Sequence, residues 1–184
     1  MNPTFNNRRH TLQRALMPSI AGFVILLDQL SKYTVEATLP LYRSWTPLEA
    51  VPSFRISHVS NSGSAFGLFP AQSELFAWAA LFVAVGIVIY NFSLPSGQKL
   101  LRLALGLQLG GALGNLVDRL RTGHVTDFID FGPWVFNLAD AAIIMGAALL
   151  AWVMWQESGK YAPDPRHAGG EQTQGAIWDE RPSN

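Results

Sequence analysis

Residues 75–92 read LFAWAALFVAVGIVIYNF, with no charged side chain and no polar face. A helix rises about 1.5 Å per residue, so about 20 apolar residues cross the roughly 30 Å hydrocarbon core of a bilayer. With its flanks, 73–94, this stretch is long enough. A helix that is apolar all round has no side to turn towards water, which points to lipid as its solvent.

Moving outward, three more charge-free runs appear at 15–27, 103–117 and 141–156. Only 14% of the 184 residues are charged, against about 25% in soluble domains. Thirteen basic and thirteen acidic residues cancel, which disfavours a nucleic-acid partner. The absence of cysteine removes disulfides, thiolate metal sites and thiol nucleophiles. The reading is an all-α polytopic membrane protein with spans at about 15–35, 73–94, 100–117 and 138–155. Arg102, near the start of the third span, is expected to snorkel to the interface. Trp152 and Trp155 anchor the end of the fourth. The first run is too short alone and must continue through Asp28, Gln29 and Lys32. A signal-peptide core is the alternative there, but no small-residue cleavage site follows it.

Four antiparallel spans bring the polar motifs to one side: Asp28 and Lys32, Asn61, Asn115 and Asp118, Asn137 and Asp140. The opposite side carries Arg8, Arg9, Arg14, Lys99, Arg102, Lys160 and Arg166, against Arg43, Arg55, Arg119 and Arg121 on the motif side. The positive-inside rule then puts both termini in the cytoplasm and the motifs at the outer face. Within the outer segment, 39–72, SFRISHVSNSGSAFGLF (53–69) reads as short strands and a turn. Residues 1–157 form one membrane-embedded domain. Residues 158–184, rich in Gly, Pro and Gln, read as a disordered cytoplasmic tail. Gly106, Gly110 and Gly114 recur every four residues and make a smooth ridge, for packing inside the chain or for a second copy. A monomer is expected.

Acids at a membrane boundary are costly and point to function. Asp28 and Lys32, four apart on a helix, can pair, to brace the fold or to support a site. Asp118 and Arg119 read as an interfacial pair just past a helix end, and Arg119 could also hold a substrate carbonyl. Asp127 lies in the strand-like VTDFIDF, and Asp140 in the first turn of the fourth span, where a carboxylate also suits simple capping. No Lys or Arg occurs between 122 and 159. Two such acids brought together without a cation share a proton, as in aspartic proteases, although carboxylate pairs also cleave glycosides. No metal is expected, since the four histidines are scattered; His124 reads as a loop surface residue. Serine-nucleophile and phosphate-loop motifs are absent as well.

The chain resembles lipoprotein signal peptidase, the bacterial signal peptidase II family. The resemblance rests on DQLSK (28–32), NSGSAFG (61–67), GNLVDR (114–119), GHVTDFIDF (123–131) and FNLADA (136–141), in that order across 15–156. It implies a four-transmembrane-helix bundle with a small periplasmic β-sheet cradle and a short periplasmic helix, in the bacterial inner membrane. It implies an aspartic endopeptidase that cleaves diacylglyceryl-modified prolipoproteins before the lipidated cysteine, with no cofactor and with sensitivity to globomycin-type cyclic peptides. Asp127 and Asp140 match the catalytic pair. Asp28, Lys32, Asn61, Gly63, Asn115, Asp118, Arg119 and Asn137 match supporting or substrate-binding positions. The Gly/Ser-rich 61–67 loop is expected to act as a movable cover. Two rivals are a proton-coupled transporter subunit and a membrane scaffold. The acids gather at one boundary without repeats, which speaks against the first, and a scaffold has no need of uncompensated acids.

Overall fold

A computed structural model describes residues 3–48, 50–51, 53–63 and 73–158, with side chains from residue 13 onward. The elements run α1 (Pro3–Thr38), β1 (Ser44–Trp45), β2 (Arg55–Asn61), α2 (Ser73–Ser93), α3 (Lys99–Thr122), β3 (Val125–Asp130), β4 (Val135–Phe136) and α4 (Leu138–Ser158). All four helices are long and apolar enough to span a membrane, α1 through Gln13–Thr38. The four-span bundle therefore stands. The tail beyond 158 lies outside the described residues, and a short outer helix has no counterpart among them.

α3 is the hub. Its span is 61% buried, against 28%, 17% and 22% for α1, α2 and α4. Its mean hydropathy is 1.4, against 2.2 for the lipid-facing α2. The glycines explain the approach. A Cβ at Gly106 would strike Ile20 and the Met17 carbonyl, and one at Gly110 would strike Val24 and the Ala21 carbonyl. Gly111 and Gly114 do the same for α4 and for Asp28. The ridge thus serves packing within the chain, α1 lying along it. Phe82, Ile89, Leu26 and Trp155 are exposed and face the lipid.

α3 runs about one turn further than the sequence suggests and closes at Gly123, whose φ of 79° and N–H bond to the Arg119 carbonyl form a left-handed cap. Asp118 and Arg119 therefore sit on the helix, not beyond it. Arg102 also departs from expectation. It is buried rather than snorkelled, donating to the Asn91 and Leu94 carbonyls and the Asn91 side chain. The end of α2 leaves carbonyls without helical partners, and the guanidinium satisfies them.

The four strands form one antiparallel sheet in the order β1-β2-β3-β4. Asp127 pairs with Val59 and Asp130 with Arg55, with an extra residue bulged into β2 between them. β3 itself is regular, so Asp127 and Asp130, three apart, point to opposite faces.

Candidate active site

Asn137 opens α4. Its Oδ1 accepts the Asp140 N–H at 2.9 Å, the N-cap arrangement for a first-turn acid. The Ala139 N–H donates to Asp28 Oδ1 at 2.9 Å, so α1 caps α4 as well. On the other side, β3 is tied down at Thr126. Its N–H donates to Asp118 and its hydroxyl to Glu36, at 3.3 and 2.7 Å. These two anchors set the positions of Asp140 and Asp127.

Beneath them lies a buried ion cluster. Lys32 places Nζ 2.8 Å from Asp28, 2.8 Å from Asp118 and 3.0 Å from Asn115 Oδ1. Gln29 donates to both acids and to the Gly114 carbonyl. The Asp28–Lys32 pair exists as expected. Asp118, however, pairs with Lys32 and not with Arg119, because neighbours in a helix diverge by about 100°. This cluster braces the fold and also reaches the acids above it through Asn115.

The direction of every bond in that path is fixed by groups that can only donate. Lys32 demands the oxygen of Asn115, so Asn115 Nδ2 donates to Asp140 Oδ1 at 2.7 Å. The Asp140 N–H takes the oxygen of Asn137, so Asn137 Nδ2 donates to Asp127 Oδ1 at 2.7 Å and to Asn115 Oδ1 at 3.1 Å. The Gly63 N–H takes the oxygen of Asn61, so Asn61 Nδ2 donates to Asp127 Oδ2 at 2.9 Å. Gly63 has a φ of 102° and abuts the Phe76 ring, so a side chain there is excluded twice. Asp127 accepts amide bonds at both oxygens. Asp140 accepts a side-chain bond at one oxygen only, and the residue lines a cavity.

Burial pushes the Asp127 carboxyl up to about 6; the Asn61 bond works against this and the Asp140 charge adds to it. The acids do not lack a cation, as the local sequence implied. Arg119, from α3, acts electrostatically on Asp140, Asp118 and Asp127. Its guanidinium lies 5.7 Å from the Phe76 ring centre, bonds to the Asn115 carbonyl and leaves Nε without a partner. The four acids still outnumber Lys32 and Arg119.

Asp140, Asn115, Arg119 and Phe76 line the outer end of a cavity of about 330 Å³ that continues along Ala79, Ala80, Val83, Gln108, Ala112 and Ile143. α2 and α4 form its sides and α3 its back. Of the site residues expected from sequence, Asp28, Lys32, Asn61, Asn115, Asp118, Asp127, Asn137 and Asp140 join one hydrogen-bonded network, with Gly63 and Arg119 bonded to its edge. Asp130 stands apart, held by Arg55, Ser57 and the Gly132 N–H. His124 bonds only with Thr122 among the described residues, its ring nitrogen with the Thr122 carbonyl and its own carbonyl with the Thr122 hydroxyl. Residues 64–67 of the expected cover lie outside the described residues. Sequence reasoning passed over Gln29, Glu36, Phe76, Gln108 and Thr126. For Gln29 and Gln108 the signal was present, a polar amide inside an apolar run.

Comparison with known proteins agrees in sequence and in shape. The lipoprotein signal peptidase of Moorella thermoacetica is 41% identical over 151 residues, covering 79% of this chain and 97% of that protein. The lipoprotein signal peptidase of Alteromonas mediterranea is 41% identical over 150 residues, covering 77% and 81%. A bacterial membrane enzyme solved in meso at 2.3 Å superposes with a TM-score of 0.73 at 25% identity, covering 80% of this chain and 92% of that one. The family model for signal peptidase (SPase) II matches residues 20–156, and the chain belongs to that family.

Proposed function

We propose that Asp127 and Asp140 are the catalytic pair of a membrane aspartic endopeptidase that removes the signal peptide from diacylglyceryl-modified prolipoproteins, cleaving before the lipidated cysteine. One observation carries the reading. Asn137 holds the Asp127 carboxyl through its amide nitrogen and the Asp140 N–H through its oxygen, and Asp140 lines the outer end of a cavity between two lipid-facing helices. Such a substrate keeps its acyl chains in the bilayer, so its scissile bond must meet water at this depth.

The bond directions suggest separate roles. Two amide donors favour the ionised form of Asp127. Both Asp127 oxygens already accept amide bonds, so the pair's shared proton has its place on the Asp140 oxygen that accepts none. Ionised Asp127 takes a proton from a water molecule as the water oxygen attacks the scissile carbonyl carbon. Asp140 gives its proton to the carbonyl oxygen, with Arg119 placed to hold the peptide. As the intermediate collapses, Asp140 recovers its proton, the C–N bond breaks, and Asp127 protonates the leaving cysteine nitrogen.

The test is cleavage of a diacylglyceryl-modified prolipoprotein by the full-length protein in detergent. Asp127→Asn and Asp140→Asn are each expected to lower kcat by at least about 10³-fold with the fold retained. Full activity in either variant would remove that residue from the pair. Asp127→Asn is also expected to weaken binding of uncleaved substrate. Its new amide nitrogen would face Asn61 or Asn137, whereas Asp140→Asn imitates the protonated acid.

A further inference from the structure

Gln108 lies mid-way along α3, half-buried; among the described residues its amide has no hydrogen-bond partner, and its side chain lines the cavity. At mid-span depth in a bilayer, an amide without a partner is costly. The stem is also fixed. A Cβ on Gly146 would strike Gln108 Cγ at 2.8 Å, so α4 presses against this side chain at a point where only glycine fits. Gln108 shares a helix face with Ala112, Asn115 and Arg119, at spacings of four, three and four. It therefore stands in line with the groups proposed to hold the scissile peptide.

We infer that Gln108 is a positioning residue that pairs with the backbone of the signal peptide about three residues before the scissile bond. This rests on the proteolytic reading above. Gln108 is seven residues below Asn115, about 10.5 Å towards the cytoplasm at 1.5 Å per residue. A signal peptide keeps its basic N-terminus in the cytoplasm, so the residues before the bond descend past α3. For the two acids to reach a peptide bond, the chain there must be unwound. An extended chain advances about 3.3 Å per residue and covers that distance in three. Its N–H and C=O would then lie in hydrocarbon with no partner. A glutamine amide offers one acceptor and two donors and matches a peptide unit at both positions. Ala79, Ala80 and Ala112 leave room for the segment.

The experiment is a cycle of enzyme and substrate variants in detergent micelles. Lipidated prolipopeptides carry an ester in place of one backbone amide, scanned over the five residues before the bond. With unmodified substrate, Gln108→Leu is expected to lower kcat/KM about tenfold. With the wild-type enzyme, the ester that removes the N–H of the third residue should cost a similar factor, and esters elsewhere less. That same ester should cost Gln108→Leu little more. Unchanged kcat/KM in Gln108→Leu, or an ester scan on the wild-type enzyme without a maximum near the third residue, would overturn the inference. The ester scan needs no enzyme variant, so misfolding of Gln108→Leu does not blunt it. No cleavage by the wild-type enzyme would instead overturn the proteolytic reading.

Discussion

Each end of the bundle buries a long cationic side chain completely, and the two are used differently. At the cytoplasmic end, Arg102 donates only to neutral groups among the described residues: the carbonyls of Asn91, Leu94 and Pro95 and the Asn91 amide oxygen. It closes the terminus of α2, and no described acid pairs with it. At the periplasmic end, Lys32 meets two carboxylates, and its third bond orients an amide that holds a further acid. The first junction is satisfied and ends there. The second carries more acid than cation and connects through Asn115 and Asn137 to Asp127 and to Asp140, which lines the cavity. A buried charge that saturates its surroundings makes structure; one that leaves a titratable group at a lipid-facing opening makes chemistry possible.

Lys32→Ala breaks this contrast most severely. It strands Asp28 and Asp118 without a cation, and removing one partner of a buried pair costs about 3–5 kcal/mol. It also frees Asn115 to rotate away from Asp140. Both thermal stability in detergent and cleavage are expected to collapse together. Arg102→Met should separate the two readouts. The α2 carbonyls lose their donors, at about 1–3 kcal/mol, and thermal unfolding should report it. The folded fraction should keep the wild-type kcat/KM, since nothing bonded to Arg102 touches the cavity.

The two junctions also differ in how far the sequence reveals them. Hydropathy places all four spans because lipid imposes one simple demand on every exposed side chain. The motifs place the acids on one side because an antiparallel bundle leaves no alternative. What a charge near a helix end does is another matter. Arg102 reads as a snorkelling residue, since its sequence neighbours do not show that the end of α2 lies beside it. The extra turn of α3 is hidden by the polar run DRLRT, which reads as loop at a membrane boundary, although Gly123 marks the true stop. The Thr126–Glu36 tie joins residues 90 apart in sequence, and no local pattern encodes it.

A smaller effect probes the surplus acid itself. With Asp127 near pH 6 and required as the base, kcat/KM should fall as pH drops through about 6, by one proton. The profile reports the pair's macroscopic values. The Asn61 bond favours the ionised form, so Asn61→Ala should move the acid limb to higher pH. A limb that moves down, or stays, would take Asn61 out of the tuning of the pair.

The smallest effect belongs to Asp130→Asn. Burial alone would raise this carboxyl, but the bonds from Arg55, Ser57 and the Gly132 N–H bring it below its ordinary value. Its ionised form therefore adds stability above the unfolded carboxylate's pKa, and that stability is lost as pH falls through the lower native value. The substitution should lower Tm at neutral pH, with a deficit that shrinks in acid. Cleavage at neutral pH should stay within about twofold, the scale of coupling between sites that share no partner, because Asp130 bonds with Arg55, Ser57 and the Gly132 N–H and with none of the groups around the pair. Asp130 sits three residues from Asp127 on a regular strand and so faces the other side of the sheet. A loss comparable to that of Asp127→Asn would mean that the Arg55 side of the sheet also shapes the site.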